Sequence, residues 1–272
     1  MTAGDSLGDR IKRYEAQETY ERFLPNTPIV ARIDGRCFGR FTKRMHRPFD
    51  ERFSVIMRNV TARLVKETGA CIGYTQSDEI SLCWYNPTPG SDIFFGGRKF
   101  KMVGQLAALA TAYFHIECSM SGLGARVQEQ APTFDARVFA VPNLMEGVNA
   151  ILWRQRDCLK NSTSMIARAF FSHKELLNKN QCDMIEMLSS KSVSLDDYPW
   201  QYREGTFIQK KVVRRRLTEI ELAAIPKYRR SQNDEEVCRS QYVEIQIPLL
   251  SKLSNSIDVI FFGANPLPKE EV

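Results

Sequence analysis

Two aspartates stand where a metal ion and a phosphate would need them. The stretch Ile29-Val30-Ala31-Arg32-Ile33-Asp34-Gly35-Arg36 runs a short apolar strand into Asp34 and then a glycine, and Ser77-Asp78-Glu79 sits between two further strand-like runs. A magnesium ion takes oxygen ligands at about 2.0–2.1 Å, commonly one or two carboxylates plus substrate phosphate. Two such ions roughly 3.5–4 Å apart stabilise both the attacking and the leaving oxygens of an in-line phosphoryl displacement. Gly35 suits such a site because its backbone can approach an ion or a phosphate with no side chain in the way. Taken singly, Asp34 reads equally well as a turn cap and Asp78 as a hairpin-turn residue. Glu79 is a third candidate carboxylate, but in extended backbone its side chain points away from that of Asp78, so a solvent-facing position is its rival reading.

Whether the aspartates meet depends on the elements that carry them. In the first strand Ile29, Ala31 and Ile33 share one face and Val30, Arg32 and Asp34 the other. Phe53, Ile56, Met57, Val60 and Leu64 then recur at helical spacing between an N-cap, Asp50, and a terminator, Gly69. Residues 70–74 and 80–85 predict a hairpin with Gln76-Ser77-Asp78 as its turn. A loop rich in Pro and Gly (Pro87, Pro89, Gly90, Gly96, Gly97) leads to a second helix over 101–116, closed by Gly122 and Gly124, and to an alternating strand over 134–141. Strand, helix, strand, strand, helix, strand is the ferredoxin-like order. In its usual arrangement strands one and three are central neighbours, and the end of the first lies beside the hairpin turn. Asp34 and Asp78 would then converge.

The fold class read from this pattern is α+β: a ferredoxin-like palm, an antiparallel βαββαβ sheet with helices on one face, over residues 1–142. A helical and β extension over 143–272 packs on it as one continuous unit. Residues 1–26 predict a short surface helix packing on the palm. Residues 144–171 predict two helical stretches meeting near Asp157-Cys158, and Ser172 to Glu175 a capping box that opens another helix. Residues 205–213, 242–247 and 257–262 predict late strands.

Composition narrows the class. Hydrophobic content of 43% and charged content of 26% suit a soluble globular protein. No apolar run approaches the roughly 18 residues of a membrane helix, the N-terminal residues lack a signal-peptide core, and a cytoplasmic setting without a membrane partner is the expectation. The 7 cysteines are scattered singly and read as reduced thiols, and the 3 histidines are isolated, so a hard ion held by oxygens is expected rather than zinc. A net charge of +6 tilts toward a polyanionic partner. Lys210, Lys211, Arg214, Arg215 and Arg216 form one basic segment, and Lys227, Arg229 and Arg230 a second; a solvated face and an RNA-backbone contact are equally open.

Several motifs in order resemble the histidine-tRNA guanylyltransferase family. They are Arg32-Ile33-Asp34-Gly35-Arg36-Cys37-Phe38, Ser77-Asp78-Glu79, and Phe134-Asp135-Ala136-Arg137-Val138 against the family's F-D-G-R-V. Trp153-Arg154-Gln155 with Asp157-Cys158 follows, similar to W-R-Q-x-D-C, then Tyr202-Arg203-Glu204-Gly205-Thr206 against Y-R-K-G-T. The resemblance implies a polymerase-like palm that adds nucleotides to the 5′ end of tRNA, with ATP, GTP or other nucleoside triphosphates as substrates. It implies two Mg2+ ions on Asp34, Asp78 and the Gly35 carbonyl, with Glu79 among the catalytic carboxylates. The triphosphate would lie on the amides from Arg36 through Cys37 to Phe38 and on the Ser77 side chain, with Lys101 neutralising phosphate charge. A homotetramer, a dimer of dimers, is implied as well. Arg137, Arg154 and Asn161, with the basic segment from Lys210 to Arg215, are the candidates for RNA contact; for Arg137 and Arg154 bracing Asp135 or Asp157 is an equal reading. Trp84 and Trp153 read as core residues.

One departure bears on substrate. Where the family's histidine-tRNA enzymes carry H-I-N-N-L-Y-N, this chain has Leu159-Lys160-Asn161-Ser162-Thr163-Ser164, and only Asn161 survives. The pattern resembles the guanylyltransferase-like branch, implied to repair 5′-truncated tRNA by template-dependent 3′-to-5′ addition. Guanosine addition to histidine tRNA is the alternative. Rivals outside the family are a palm-type nucleotide cyclase and a catalytically silent RNA-binding module; the latter would need an aromatic-rich signature that the third strand lacks.

Overall fold

The central sheet begins with a strand that is apolar on both sides. In the computed structural model, which describes residues 6–88, 93–226 and 236–269, α1 (Leu7–Thr19) precedes β1 (Ile29–Arg36). The expected surface helix is present as α1, with none of its residues fully buried, and Phe23 beyond it packs against the core. Ile29, Ala31 and Ile33 of β1 enter the larger core cluster, while Val30 enters a second cluster on the opposite side of the sheet. A short α2 (Phe38–Thr42) follows. Next, α3 (Glu51–Thr68) begins where the Asp50 carboxylate accepts from the Arg52 and Phe53 amides and stops where Gly69 turns to φ +65°.

The hairpin is β2 (Ile72–Gln76) and β3 (Glu79–Trp84), with every residue of both strands buried. The turn is Ser77-Asp78, Ser77 at φ +49°. After it, α4 (Lys99–Met120) runs longer than the periodicity predicts. A further helix, α5 (Gly124–Gln130), lies where the two glycines suggest a loop; Leu123 and Val127 anchor it in the core. The strand β4 (Thr133–Ala140) then lays Phe134, Ala136 and Val138 against the same core. Strand order is β4-β1-β3-β2, the ferredoxin-like order, and every pairing is antiparallel.

The remaining chain both covers and widens this sheet. α6 (Leu144–Phe170) is one continuous helix rather than two stretches. No proline interrupts it, and Asp157 is bonded to Arg154 one turn before it and to Asn161 one turn after it, at 2.9 Å each. The Ser172–Glu175 capping box forms but closes only a turn, with Asn178 at φ +61°. The next helix, α7 (Gln181–Ser189), is opened by Asn180. α8 (Trp200–Glu204) leads into β5 (Thr206–Arg216), α9 (Glu219–Ala224) and β6 (Glu236–Ile245), which extend the order to β4-β1-β3-β2-β5-β6. The expected strand at 257–262 is instead α10 (Ser256–Phe262), closed by Gly263 at φ +73°. A short apolar run does not separate a buried helix from a strand, and here Val259, Ile260 and Phe261 all pack into the second core. Pro89, Gly90, Lys227, Arg229 and Arg230 lie outside the described residues.

One close approach sets the helix layer on the sheet. A Cβ on Gly73 would stand 2.6 Å from Val65 Cγ2 and 2.7 Å from Thr61 Cγ2, whereas one on Gly104, on the exposed side of α4, meets nothing within 4 Å. Gly73→Ala is expected to destabilise the protein by about 1–3 kcal/mol through overpacking. Gly104→Ala should stabilise it by about 0.4–1 kcal/mol through the unfolded chain. Urea unfolding of both variants checks the pair; equal effects would contradict the packing account.

Candidate active site

The strand register gathers the acids at one end of the sheet. Asp34 lies directly opposite Glu79 on β3 and Asp135 on β4. Directly opposed residues of antiparallel strands share a face, with Cβ atoms about 4.5–5.5 Å apart, so Asp135, Asp34 and Glu79 form one cross-strand row. Asp78 joins them at the hairpin tip, where its carbonyl accepts the Gly35 amide at 3.0 Å. Asp34 is not the last residue of its strand, because Gly35 and Arg36 continue to pair with β4.

These carboxylates are balanced unequally. The Glu79 side chain is buried, not solvent-facing; Arg154 Nε donates to its Oε1 and Arg154 Nη2 to Asp157 Oδ2 at 2.9 Å. Burial pushes the Glu79 carboxyl above its usual range, and Arg154 and Arg32 pull it back only in part. The half-buried Asp78 carboxyl is also pushed up, chiefly by burial and further by the charge of Asp34, with the Ser77 hydroxyl as its side-chain donor at 3.1 Å. Among the described residues Asp34 has no ion pair or side-chain hydrogen bond. Two close carboxylates without a basic partner are a poor arrangement for a folded chain alone and a good one for a cation. Among the described residues no group of three or more His, Cys, Asp or Glu could hold an ion, so further ligands would come from backbone, water or substrate oxygens.

Beside the acids the chain turns sharply. Cys37 at φ +59° opens α2, no side chain caps the first turn of that helix, and Phe38 folds back under Gly35. A Cβ on residue 35 would stand 2.5 Å from the Phe38 ring. Phe38 packs among Phe41, Phe53, Phe114 and Phe134, so the loop from Arg36 to Phe38 is fixed by an aromatic core beneath it.

Next to this loop, on the β2 side of Asp78, opens a cleft of about 400 Å³ whose lining includes Lys43, Arg47, Asp50, Ser77, Asn161 and Arg168. Lys43, Arg47 and Arg168 are exposed on its wall, while Asp50 is taken up by Arg52 and the first turn of α3. The rings of Phe49 and Tyr202, both lining residues, stack at 4.7 Å. A basic, partly aromatic cleft beside an acid pair is what a nucleoside polyphosphate calls for. The sequence reading missed Lys43, Arg47 and Arg168; the run of cations from Arg40 to Arg47 directly after the loop was the available signal.

Other candidates are placed differently. Lys101 is exposed in the first turn of α4, whereas Thr111, bonded to the Phe134 amide, marks where that helix reaches the acid end. Ten residues of helix put about 15 Å between them, so Lys101 sits toward the other end of the sheet. Among the described residues β5 pairs beyond Gln209 only with β6, and on this ribbon Lys211 is held by Gly263 and Asn265 and Arg215 by Glu221. Lys210 and Arg214 remain exposed. Trp84 is core and donates to the Thr68 carbonyl at 3.1 Å, but Trp153 is 57% exposed, contrary to the core reading.

Comparison with known proteins bears on this arrangement. The family described as Thg1, tRNAHis guanylyltransferase, matches residues 8–142, the segment that carries Asp34, Asp78 and Asp135. The chain belongs to the tRNA(His) guanylyltransferase family. Within that family it is 33% identical over 163 residues to the tRNA(His) guanylyltransferase of Schizosaccharomyces pombe, covering 55% of this chain and 58% of that protein. A bacterial tRNA(His) guanylyltransferase (Thg1)-like protein solved in complex with ATP superposes with a TM-score of 0.71 at 29% identity, covering 91% of this chain and 95% of that one. The same description in complex with GTP gives 0.69 at 29% identity, with 91% and 95% covered.

The crowding of Asp78 has a measurable cost. A carboxyl whose folded-state pKa is raised opposes folding when ionised and ceases to do so as pH falls through that raised value. Asp78→Asn should therefore raise the thermal stability of this family member at pH 7.5 without divalent cations. The gain should vanish as pH falls toward the ordinary value of 3.8. A variant less stable than wild type at pH 7.5 would contradict the electrostatic account.

Proposed function

We propose that this guanylyltransferase-family protein is a tRNA 5′-end nucleotidyltransferase that adds nucleotides in the 3′-to-5′ direction. The observation that carries the reading is the convergence of Asp34 and Asp78 beside a basic cleft that Ser77 also lines. The residues fit a pair of Mg2+ ions on Asp34, Asp78 and the Gly35 carbonyl, since among the described residues the two acids have no basic partner and a main-chain carbonyl adds a neutral oxygen, the glycine itself being required by the Phe38 ring. Bound there, the ions would neutralise phosphate charge and lower the barrier for an oxygen nucleophile at phosphorus. The chain's own part is positioning. The Arg36–Phe38 loop and Ser77 orient the triphosphate, Lys43, Arg47 and Arg168 attract it, and Arg154 holds Glu79 so that this third carboxylate stays in place. The bacterial relatives' ATP and GTP complexes support nucleotides as the cleft's occupants.

In the reaction so proposed, the RNA 5′-monophosphate is first activated by a nucleoside triphosphate, with release of pyrophosphate. The 3′-hydroxyl of the incoming nucleotide then attacks the activated phosphorus and the activating nucleotide leaves. Exposed Lys210 and Arg214 on the β5–β6 ribbon would add RNA-backbone attraction that weakens with salt. Repair of truncated tRNA is preferred over guanosine addition to histidine tRNA because Leu159 stands where the histidine enzymes carry histidine. Its side chain offers no hydrogen bond, while its carbonyl accepts from Thr163 at 2.8 Å and Gln181 at 3.2 Å within the helical layer.

Incubation with Mg2+, ATP, the four nucleoside triphosphates and a tRNA lacking its first 5′ nucleotide is expected to lengthen the RNA at that end. Asp34→Ala and Asp78→Ala should each lower the rate by at least about a hundredfold, a loss of roughly 2.7 kcal/mol in transition-state stabilisation. Unchanged extension by either variant sinks the metal assignment, and a much higher rate on intact histidine tRNA than on truncated tRNA reverses the choice of branch.

A further inference from the structure

On the far side of Asp34 from the nucleotide cleft lies a second, smaller cavity of about 200 Å³ between β1, β4 and α6, lined by Arg32, Arg137, Phe139, Trp153 and Arg154 among others. We infer that this pocket seats an unpaired nucleotide at the end of the RNA substrate, its base on Trp153 and its phosphate between Arg32 and Arg137. The inference rests on the proposed function and extends it to residues that neither the nucleotide nor the acid pair uses.

Trp153 is 57% exposed and Phe139 41%, so two large aromatic rings border one cavity without being used to fill the core. If Trp153 served only to seal α6 onto the sheet, it would be buried as Trp84 is, at 2% exposure. The Arg154 guanidinium carbon lies 4.5 Å from the Trp153 ring centroid and that of Arg32 5.4 Å. Arg32 in turn faces Arg137 directly across β1 and β4. Arg154 is committed to Glu79 and Asp157, whereas among the described residues Arg137 has only a 3.8 Å contact with Asp135, both side chains being 55% exposed. Arg32 and Arg137 are thus the cations left for an anion. An exposed indole beside guanidinium groups is how proteins hold single-stranded nucleic acid, by stacking and cation–π attraction rather than by reading a duplex.

Arg32 and Arg137 form the row next to Asp34 and Asp135, about 7 Å along the strands. The nucleotide cleft opens on the β2 side of the acids and this pocket on the β4 side. In-line displacement puts the attacking and leaving oxygens on opposite sides of the phosphorus, so an RNA end entering from β4 would meet the nucleotide across the acids. A volume of about 200 Å³ is the share of roughly seven waters, room for one ring system and not for a helix. Shortening the 5′ strand of a stem leaves one such base unpaired on the opposite strand.

The test is direct binding of two fluorescently labelled RNA stem–loops, one blunt and one with its 5′ strand a nucleotide short, measured by anisotropy without turnover. Wild type is expected to bind the recessed RNA more tightly. Trp153→Ala should weaken binding of the recessed RNA by about tenfold and leave the blunt RNA unchanged, and Trp153→Phe should stay within about threefold of wild type. Arg137→Gln should weaken recessed RNA as well. Affinity for ATP, titrated calorimetrically, should be unchanged in all three. The pocket assignment is overturned if wild type shows no preference, if Trp153→Ala keeps it, or if that variant loses affinity for both RNAs or for ATP alike. Failure of the catalytic reading looks different: a wild type that prefers the recessed RNA yet never extends it keeps the pocket and loses the transferase.

Discussion

Everything at the open end of this sheet depends on holding like charges together. Asp135, Asp34 and Glu79 are fixed side by side by strand register, and Asp78 is brought to them by the Gly35 amide. Coulomb repulsion between such groups, in a site where burial already raises the pKa of Asp78 and Glu79, works against folding. Glu79 is paired closely with Arg154, itself held by Asp157, which offsets its burial only in part, and Asp135 has a 3.8 Å contact with Arg137. Among the described residues Asp34 and Asp78 have no cation partner. That residual imbalance is what makes the acid end a candidate for metal and phosphate chemistry rather than a set of surface turns.

The rest of the fold can be read as the frame that makes this imbalance tolerable. On one side of the sheet α3 and α4 supply an apolar layer in which Phe38 is clamped by four other phenylalanines, so the loop after Gly35 keeps its shape without contacts from a ligand. On the other side α6 delivers Arg154 to Glu79 from within a separate apolar cluster that includes Val148, Ile151 and Phe261. Gly147 allows that approach, since a Cβ there would stand 2.5 Å from the Phe261 ring. The extension after the palm is therefore part of the site's support.

Much of this was legible in the residues. Alternation in β1 and β4, the Asp50 cap and Gly69 stop of α3, and the hairpin around Ser77-Asp78 gave the strand order, and the order brought Asp34 to Asp78. What misled were local signals judged without their tertiary partners. The apolar run at 257–262 reads as strand or helix alike until the second core selects a helix. The Ser172–Glu175 box satisfies two amides but has no apolar face behind it long enough to continue. Lys101 matched by sequence order, yet helix length carries it toward the other end of the sheet. Trp153 looked like core because its type is usually buried; only the fold shows it at the rim of α6, among arginines.

Asp34 and Asp78 are proposed to hold jointly the ions that a nucleoside triphosphate brings into the neighbouring cleft, and such joint ligation is open to direct observation. Anomalous diffraction from crystals soaked with Mn2+ and a non-hydrolysable ATP analogue addresses it most directly. Manganese peaks are expected within about 2.0–2.4 Å of carboxylate oxygens of both aspartates, with the triphosphate against the Arg36–Phe38 loop and Ser77. Manganese bound elsewhere, or a triphosphate lying away from Ser77 with both aspartates unligated, would contradict it.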